Sequence, residues 1–268
     1  MGGFVFTLRA GPAQAVDVGA LLPERLAPLA LEEIARIPLP CGNRALPCGE
    51  LFAITGTPGE TLTLRPEGGR LLRAGAAMTA GRLVVEGQGG EELARSMAGG
   101  EILVTGDAGD GAGAAMKAGV LVIEGSAGEA AGGGLAGEPM GMTGGLVVVH
   151  GSAGPRAGER MRRGTVLIEG AAGDFAAARM FAGTLIVLGA IGRYPGFQMR
   201  RGSILAAHPP AALLPGFADH GTHSLGFVRL LEAWLRPLSP HLAGRFAATR
   251  RLTGDSAARG TGELLIAA

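Results

Sequence analysis

The sequence predicts an all-β solenoid, a right-handed parallel β-helix with 19-residue coils, a short N-terminal cap and a C-terminal helix. Methionine recurs every nineteen residues from Met78 onward, with one longer interval, and glycine stands three residues after each methionine. Each of these glycines except the last precedes four or five mostly apolar residues and then another glycine. One short β-branched run per repeat is typical of a solenoid. The methionines are Met78, Met97, Met116, Met142, Met161, Met180 and Met199, and the glycines are Gly81, Gly100, Gly119, Gly145, Gly164, Gly183 and Gly202.

Residues 75–208 hold the seven repeats of the predicted β-helix. Successive coils pair in parallel about 4.8 Å apart, so seven coils make a stack roughly 30 Å tall. Right-handed crossovers dominate parallel pairing and predict the hand of the coil. Seven extra residues lie between Met116 and Met142. Because the period resumes afterwards, residues 132–140 are predicted to form a loop at one corner.

Residues 1–74 are predicted to cap the first coil, because an open stack of strands would otherwise pair with other chains. The predicted elements are strands at 4–8, 51–55 and 61–65, two short helices within 24–37 and a turn at 41–44. Gly11 and Pro12 end the first strand, and Pro28 divides the helical pattern.

Residues 209–268 are predicted to pack on the solenoid. Pro209 and Pro210, after His208, should stop the ladder of strands. The best helical pattern in the chain covers residues 225–236, with Ser224 as a possible N-cap. Its apolar residues at helical spacing are Phe227, Leu231, Trp234 and Leu235. A turn at 251–255 and a last strand at 260–266 complete the predicted tail.

Composition limits the possible classes of protein. The net charge of +1 argues against nucleic acid as the main partner, and the 49 glycines do not follow the three-residue period of collagen. We expect neither a signal peptide nor a membrane span, since no apolar run is long enough. Cys41 and Cys48 are too few for a disulfide framework, and we expect them reduced in a cytoplasmic protein.

A search for catalytic and ligand-binding motifs predicts no catalytic residue and no metal site. The glycines at 109, 111 and 113 lack the Gly-Lys-Ser/Thr ending of a phosphate loop. The aspartates at 107, 110 and 174 lack the nine-residue period of calcium-binding repeats. His220 and His223 are more typical of a surface loop than of a metal site.

The repeat and its flanks resemble the C-type subunits of formylmethanofuran dehydrogenase, a family that includes the corresponding polypeptide of the bacterial formyltransferase/hydrolase complex. The flanking segments that carry the resemblance are Leu31-Glu32-Glu33-Ile34, Gly42-Asn43-Arg44, Gly254-Asp255 and Gly262-Glu263. The repeat is also similar to the β-helical C-terminal domain of the glutamate synthase large subunit. The flanks extend the first resemblance to almost the whole chain. The seven-residue insertion and His208 in a glycine column depart from the family's pattern.

This resemblance implies a subunit of an enzyme complex that handles formyl groups on a methanofuran-like carrier in tetrahydromethanopterin-linked one-carbon metabolism. In that family the chemistry belongs to amidohydrolase-type and formyltransferase-type subunits, and the C-type polypeptide is a non-catalytic scaffold without a cofactor of its own. An archaeal-type dehydrogenase with molybdenum or tungsten is the alternative. Lys117 is the single lysine in a chain rich in Arg, Ala, Gly and Pro, which favours the bacterial complex.

Two other functions remain open from the sequence. A glutamate-synthase-type domain would occur with glutaminase and synthase domains. A β-helical enzyme that acts on a polymer would need clustered carboxylates on a strand face. One column of the predicted stack places Glu124, His150 and Glu169 about 5 Å apart, where they could bind a metal or form a solvated surface.

Arginines of the later coils predict a basic corner. They are Arg160, Arg162, Arg163, Arg179, Arg200 and Arg201. Arg162 and Arg200 are the candidate contacts for carboxylates of an acidic partner or of a glutamate-rich carrier tail, because guanidinium groups pair with carboxylates bidentately. A solubilising edge is the alternative interpretation.

An apolar ridge is predicted on the outer face of the strands, because alternation turns Val147 and Val149 inward and the residue between them outward. The outward residues are Val84, Leu103, Val122, Val148, Leu167, Ile186 and Leu205. We expect residues 227–235 to cover part of this ridge and another subunit to cover the rest.

Overall fold

The computed structural model describes residues 2–9 and 13–268, which are mostly β-structure with few helices. The strands are β1 Gly3–Leu8, β2 Val16–Asp17, β3 Pro38–Cys41, β4 Arg44–Pro47, β5 Phe52–Gly56, β6 Thr61–Arg65, β7 Leu71–Leu72, β8 Arg82–Val85, β9 Ala98–Val104, β10 Ala118–Ile123, β11 Thr143–Val149, β12 Arg163–Ile168, β13 Thr184–Val187, β14 Ser203–Ala206, β15 Ala218–His223, β16 Thr249–Gly254 and β17 Gly262–Ala267. The helices are α1 Pro23–Leu26, α2 Leu31–Ala35, α3 Cys48–Leu51 and α4 Gly226–Leu235, with single 3₁₀ turns at Pro240–Leu242 and Ser256–Ala258. The strand ending predicted at Gly11 and Pro12 lies outside the described residues.

A large, mostly parallel sheet dominates the described residues. It contains thirteen strands in the order β15-β16-β17-β14-β13-β12-β11-β10-β9-β8-β6-β1-β5. Each repeat contributes one strand, as predicted, and Val166 pairs with Leu185, which in turn pairs with Ile204, so the register advances by nineteen residues. Single parallel bridges such as Ala153 to Ala172 give each repeat a second line of contact with its neighbour. The insertion at 132–140 contains no strand.

Each methionine contacts the glycine that follows the methionine of the next repeat, and this contact accounts for the spacing of the repeat. All seven methionines are fully buried. A Cβ atom added to Gly164, whose φ is +90°, would lie 2.8 Å from Met142 Cε. The same contact relates Gly100 to Met78 Cε at 2.6 Å. The methionine of one repeat therefore fills the space that a side chain larger than glycine would need in the next repeat.

Aspartates at the turns link neighbouring repeats through the backbone. Asp107 and Asp110 each accept a hydrogen bond at 2.7 Å, from the N–H groups of Ser126 and Glu129. Asp174 accepts one from Arg193 N at 2.8 Å. In each pair the donor lies nineteen residues after the carboxylate. These aspartates thus satisfy corner N–H groups that the strands leave unpaired.

The N-terminal segment joins the same sheet and the same core as the repeats. Strand β1 lies between antiparallel β5 and parallel β6, and β6 pairs with β8 of the first repeat. Phe6 packs edge-on against Phe4 and Phe52, with ring centroids 6.4 and 6.0 Å apart. The strands, the two short helices and the turn at 41–44 predicted for this segment are confirmed.

The C-terminal tail departs from the prediction in two respects. Strand β14 ends at Ala206, before the prolines, yet β17 pairs with it in parallel through Ile204 and Leu264. The sheet therefore continues with a strand from much later in the chain, and the prediction that the prolines stop it is wrong. Residues 251–255, predicted as a turn, instead lie mostly in β16, which pairs antiparallel with β17 and with β15.

Helix α4 forms where the apolar pattern predicts, but its cap and its buried face differ. Its N-cap is Leu225, with extended backbone and no side-chain cap bond, so the prediction of Ser224 is wrong. The buried residues of the helix are Val228, Glu232 and Leu235, whereas Phe227 and Trp234 are exposed. No helix in the described residues is both long and apolar enough to cross a membrane.

Candidate functional site

Residues 225–246, which we call the C-terminal layer, cover the later half of the apolar ridge. Val148, Leu167, Ile186 and Leu205 point away from the inner core, and all are fully buried. They form a second hydrophobic cluster with Val228, Leu235, Leu242, Phe246 and Leu265. The prediction that the chain's own helix covers part of the ridge is confirmed.

The earlier half of the ridge stays open and forms a groove of about 440 Å³, which we call the ridge groove. Val84, at the start of this open stretch, is half-buried. The groove is lined by Arg82, Glu101, Ile102, Leu103, Val120, Val122, Glu124, His150, Pro237 and Leu238. An apolar floor with charged residues at its edge has the composition of a small docking surface.

His150 and Glu169 are bonded to each other and to the C-terminal layer. His150 Nδ1 lies 2.9 Å from Glu169 Oε2, and Ser239 Oγ donates to Glu169 Oε1 at 2.5 Å. Ser239 is fully buried, so the His150 and Glu169 end of the column is half-buried under this segment and is not the solvated surface that the sequence allowed. Glu124 is exposed at the edge of the ridge groove. Among the described residues no three His, Cys, Asp or Glu side chains are arranged to hold a metal.

Glu232 anchors the layer from its other side. It is buried in α4, and its two oxygens accept the N–H groups of Gly244 at 3.1 Å and Phe246 at 3.0 Å. Bonds of this kind to an ionised acceptor are among the stronger ones in proteins. Glu169 and Glu232 together fix the segment after α4 over the buried half of the ridge, which determines where the ridge groove begins.

The structure brings four of the six predicted arginines together, and we call these the basic corner. Arg162, Arg163, Arg200 and Arg201 are exposed around a shallow cavity of about 490 Å³ that Phe181 and Ala182 also line. The Arg200 guanidinium lies 5.2 Å from the centroid of the Phe181 ring. Within the part of the chain that the structure describes, none of the four forms an ion pair.

The other two arginines are paired with a carboxylate. Arg160 and Arg179 lie 3.6 and 3.4 Å from Glu159, which is buried. Arg160 also donates to the carbonyl oxygen of Glu138 in the insertion loop at 2.6 Å. Arg160 therefore holds the loop, and Arg179 is paired with Glu159, so neither offers free charge. The sequence pattern gave no sign of this because Glu159 lies at a turn.

His220 and His223 lie on strand β15, not in the surface loop that the sequence predicted. His220 Nε2 is 2.7 Å from Thr253 Oγ1 on β16, and His223 Nε2 is 2.9 Å from the His220 carbonyl oxygen. On the same strand pair, bonds from Arg250 hold the pKa of Asp219 below its usual range. These contacts secure an exposed edge strand.

Comparisons with known proteins agree with the geometry. The GXGXG motif family matches residues 72–208. A chain in the crystal structure of the formyltransferase/hydrolase complex (FhcABCD) from Methylorubrum extorquens, in complex with methylofuran, is 38% identical, with a TM-score of 0.89 over 98% of this chain and 99% of that one. A search among curated proteins gives no match. The protein therefore belongs to the GXGXG motif family and, as its repeat and flanks indicated, to the family of this formyltransferase/hydrolase complex subunit.

Proposed function

We propose that the chain is a non-catalytic scaffold subunit of a formyltransferase/hydrolase complex. The observation that carries this proposal is the 38% identity, over nearly the full length of both chains, to a chain of the FhcABCD complex. The partners are an amidohydrolase-type and a formyltransferase-type subunit in the cytoplasm. The complex acts on formyl groups held by a methanofuran-like carrier and exchanged with tetrahydromethanopterin.

The scaffold is a right-handed parallel β-helix with 19-residue coils. Residues 75–208 form its seven coils, residues 1–74 cap one end, and residues 209–268 cover the other end and one face. The nineteen-residue register of the strands and the second line of bridges at the corners support this geometry. Since successive coils bond to each other all along the stack, such a body offers partners long and rigid faces.

The ridge groove is the site where a partner subunit docks on the strand face. Leu103 and Val122 are half-buried on its floor, and it is continuous with the ridge residues that the C-terminal layer already covers. Among the exposed charged residues of the groove, the carboxylates Glu101 and Glu124 outnumber the single arginine, Arg82. An apolar side chain flanked by Lys or Arg matches this arrangement.

The basic corner holds carboxylates of the carrier's glutamate-rich tail, with Arg162 and Arg200 as the principal contacts. These arginines lie two coils apart, about 10 Å along the stack, so together they suit a ligand with several spaced carboxylates. They are exposed and free of ion pairs in the described residues, which leaves their donors available. The complex to which the matching chain belongs was crystallised with methylofuran.

Affinity purification through a tag on this chain, followed by identification of stoichiometric partners, tests the proposed function. We expect amidohydrolase-type and formyltransferase-type subunits. Recovery of a molybdenum- or tungsten-containing subunit would indicate the archaeal-type dehydrogenase instead. Recovery of glutaminase and synthase domains would indicate glutamate synthase, and either result would contradict the proposal.

A further inference from the structure

Three polar side chains are bonded in a row where the ridge groove meets the C-terminal layer. Ser239 Oγ donates to one oxygen of Glu169 at 2.5 Å, and His150 Nδ1 lies 2.9 Å from the other oxygen. Ser239 is fully buried, and the side chains of Glu169 and His150 are 15% and 24% exposed. Because the carboxylate is held at both oxygens, it fixes the orientation of the imidazole ring.

The bond to Glu169 also decides which ring nitrogen of His150 carries the proton. An ionised carboxylate has no proton to donate, so Nδ1 is the donor and, in the neutral ring, Nε2 is an acceptor. The two ring nitrogens point in nearly opposite directions. Since Glu169 lies in the next repeat, Nε2 faces the previous repeat, where the ridge groove lies. Within the part of the chain that the structure describes, Nε2 has no hydrogen-bond partner.

Glu124 is the neighbour of His150 on that side. His150 N donates to the carbonyl oxygen of Ile123 at 2.9 Å, so Glu124 and His150 extend from adjacent strands about 4.8 Å apart. Glu124 is exposed, lines the same groove and forms no ion pair among the described residues. Arg82 lies at the opposite edge of the groove, in register with Glu101 at the start of the strands. The edge formed by Glu124 and His150 therefore presents a carboxylate and an imidazole acceptor without a cation.

Two acceptors beside an apolar floor suit a cationic side chain. Leu103 and Val122 can contact the aliphatic stem of a lysine or arginine while its charged head reaches the edge of the groove. A metal ion fits less well, because protein metal sites usually have three or more ligands, and no such group of side chains occurs among the described residues.

We propose that Glu124 and the Nε2 atom of His150 together bind a lysine or arginine side chain of the partner subunit that docks in the ridge groove. Glu169 and Ser239 are positioning residues, because they hold the imidazole with its acceptor toward the groove. This inference rests on the proposed docking of a partner in the ridge groove, and it names the chemical group that the groove recognises.

The affinity of the chain for the other subunits of the formyltransferase/hydrolase complex tests this site. His150→Asn keeps an amide N–H near the position of Nδ1 and removes Nε2, so the melting temperature of the isolated chain should stay unchanged while the affinity falls about tenfold. Glu124→Gln, at an exposed position, should lower the affinity by a similar factor. Because both groups bind one cation, the double variant should lose much less than the roughly hundredfold of two independent contacts. His208→Asn changes an exposed histidine outside the groove and should assemble normally.

Nitrogen-15 NMR of the histidine side chains measures the tautomer directly. At pH 8 His150 should show a protonated Nδ1 and an unprotonated Nε2, with its signals assigned by their loss in His150→Asn. Glu169→Gln keeps the shape of the side chain, but its amide can donate to Nδ1, so the proton should shift toward Nε2 and assembly should weaken. A histidine that only holds the C-terminal layer would not link its tautomer to assembly.

Four results would overturn the inference while the ridge groove still docks a partner, as shown by a Val122→Asp variant that fails to assemble. They are normal affinity of His150→Asn and Glu124→Gln, fully independent losses in the double variant, a proton on Nε2 of the unaltered chain at pH 8, and loss of assembly in EDTA, which would make a metal ion the occupant. If Val122→Asp assembles normally, docking in the ridge groove fails, and the inference fails with it.

Discussion

At the scale of single residues, the glycine three positions after each methionine is constrained both by its backbone conformation and by its neighbours. Gly164 has a φ of +90° and would place a Cβ atom 2.8 Å from both Met142 Cε and the carbonyl oxygen of Gly145. Any side chain at this position would therefore face both backbone strain and a steric clash. Gly137 in the insertion loop has a similar φ of +86° but nothing within 4 Å of the added atom.

This pair of glycines separates the two effects. Gly164→Ala should lower the free energy of unfolding by about 2–4 kcal/mol, because strain and overpacking add. Gly137→Ala carries strain alone and should cost about 1–2 kcal/mol. Urea denaturation of both variants measures the difference, and equal costs would show that methionine packing does not determine the repeat.

The two cysteines should differ in reactivity. Burial raises the pKa of Cys48 to about 12, so its thiol stays protonated at pH 8, whereas the half-buried Cys41 is the last residue of β3. We expect one fast-reacting thiol per folded chain with a thiol reagent at pH 8 and two after denaturation. Two fast thiols in the folded chain would contradict the burial of Cys48.

At the scale of elements, the contact between α4 and the ridge divides one strand face into a covered half and an open half. The repeat predicts strands β8 to β14 well, because each strand lies in one repeat and coincides with its apolar run. It cannot predict β15, since the strand Ala218–His223 is exposed throughout and has no apolar alternation. The pairing of β17 with β14 could have been predicted from the sequence. Gly262 and the apolar residues after it follow the pattern of the repeat, and Met199 packs on Gly262.

Aspartate substitutions along the ridge should distinguish its two halves. Leu167→Asp and Val148→Asp place a charge under the chain's own layer and should destabilise the isolated chain by several kcal/mol. Val122→Asp lies in the ridge groove, so the chain should fold and fail to assemble. Thermal unfolding and complex yield give the two readouts. A folded, fully assembling Val122→Asp variant would show that no partner occupies the groove.

The bond from Ser239 to Glu169 should help to keep the C-terminal layer closed. Glu169→Gln keeps the shape of the side chain but weakens its bonds to His150 and Ser239, so we expect a loss of about 1–3 kcal/mol and faster amide exchange in α4. Glu124→Gln, at an exposed position in the same column, is the matched control and should change neither. Unchanged exchange in the Glu169 variant would mean that apolar packing alone holds the layer.

At the scale of the whole molecule, the repeats form one large sheet whose exposed surfaces differ in chemistry. The ridge groove is apolar with charged residues at its edge, the basic corner is cationic, and α4 exposes Phe227, Leu230 and Trp234. The sequence predicted the first two in outline, since ridge and arginines follow the repeat. It missed the pairing of Arg160 and Arg179 with Glu159 and the outward turn of Trp234, because both depend on segments that pack from outside the repeat.

Removing the basic corner should affect carrier binding more than folding. Arg162→Ser with Arg200→Ser should leave the melting temperature unchanged and weaken retention of a methanofuran-like carrier in the purified complex, with a smaller salt dependence than the unaltered complex shows. Arg25→Ser with Arg44→Ser removes the same charge from the N-terminal segment and should have no effect. Equal carrier retention in both double variants would leave the corner as a solubilising edge.

The central claim is that this chain holds the catalytic subunits together without performing chemistry itself. Production of the other subunits with and without the chain, followed by native mass spectrometry and an assay of formyl transfer coupled to formyl hydrolysis, tests this claim most directly. We predict that omission leaves separate subunits with weak coupled activity, and that addition of the purified chain restores both the assembly and the coupled activity. A fully assembled and active complex without the chain would contradict the scaffold function, and so would formyl transfer or hydrolysis by the chain alone.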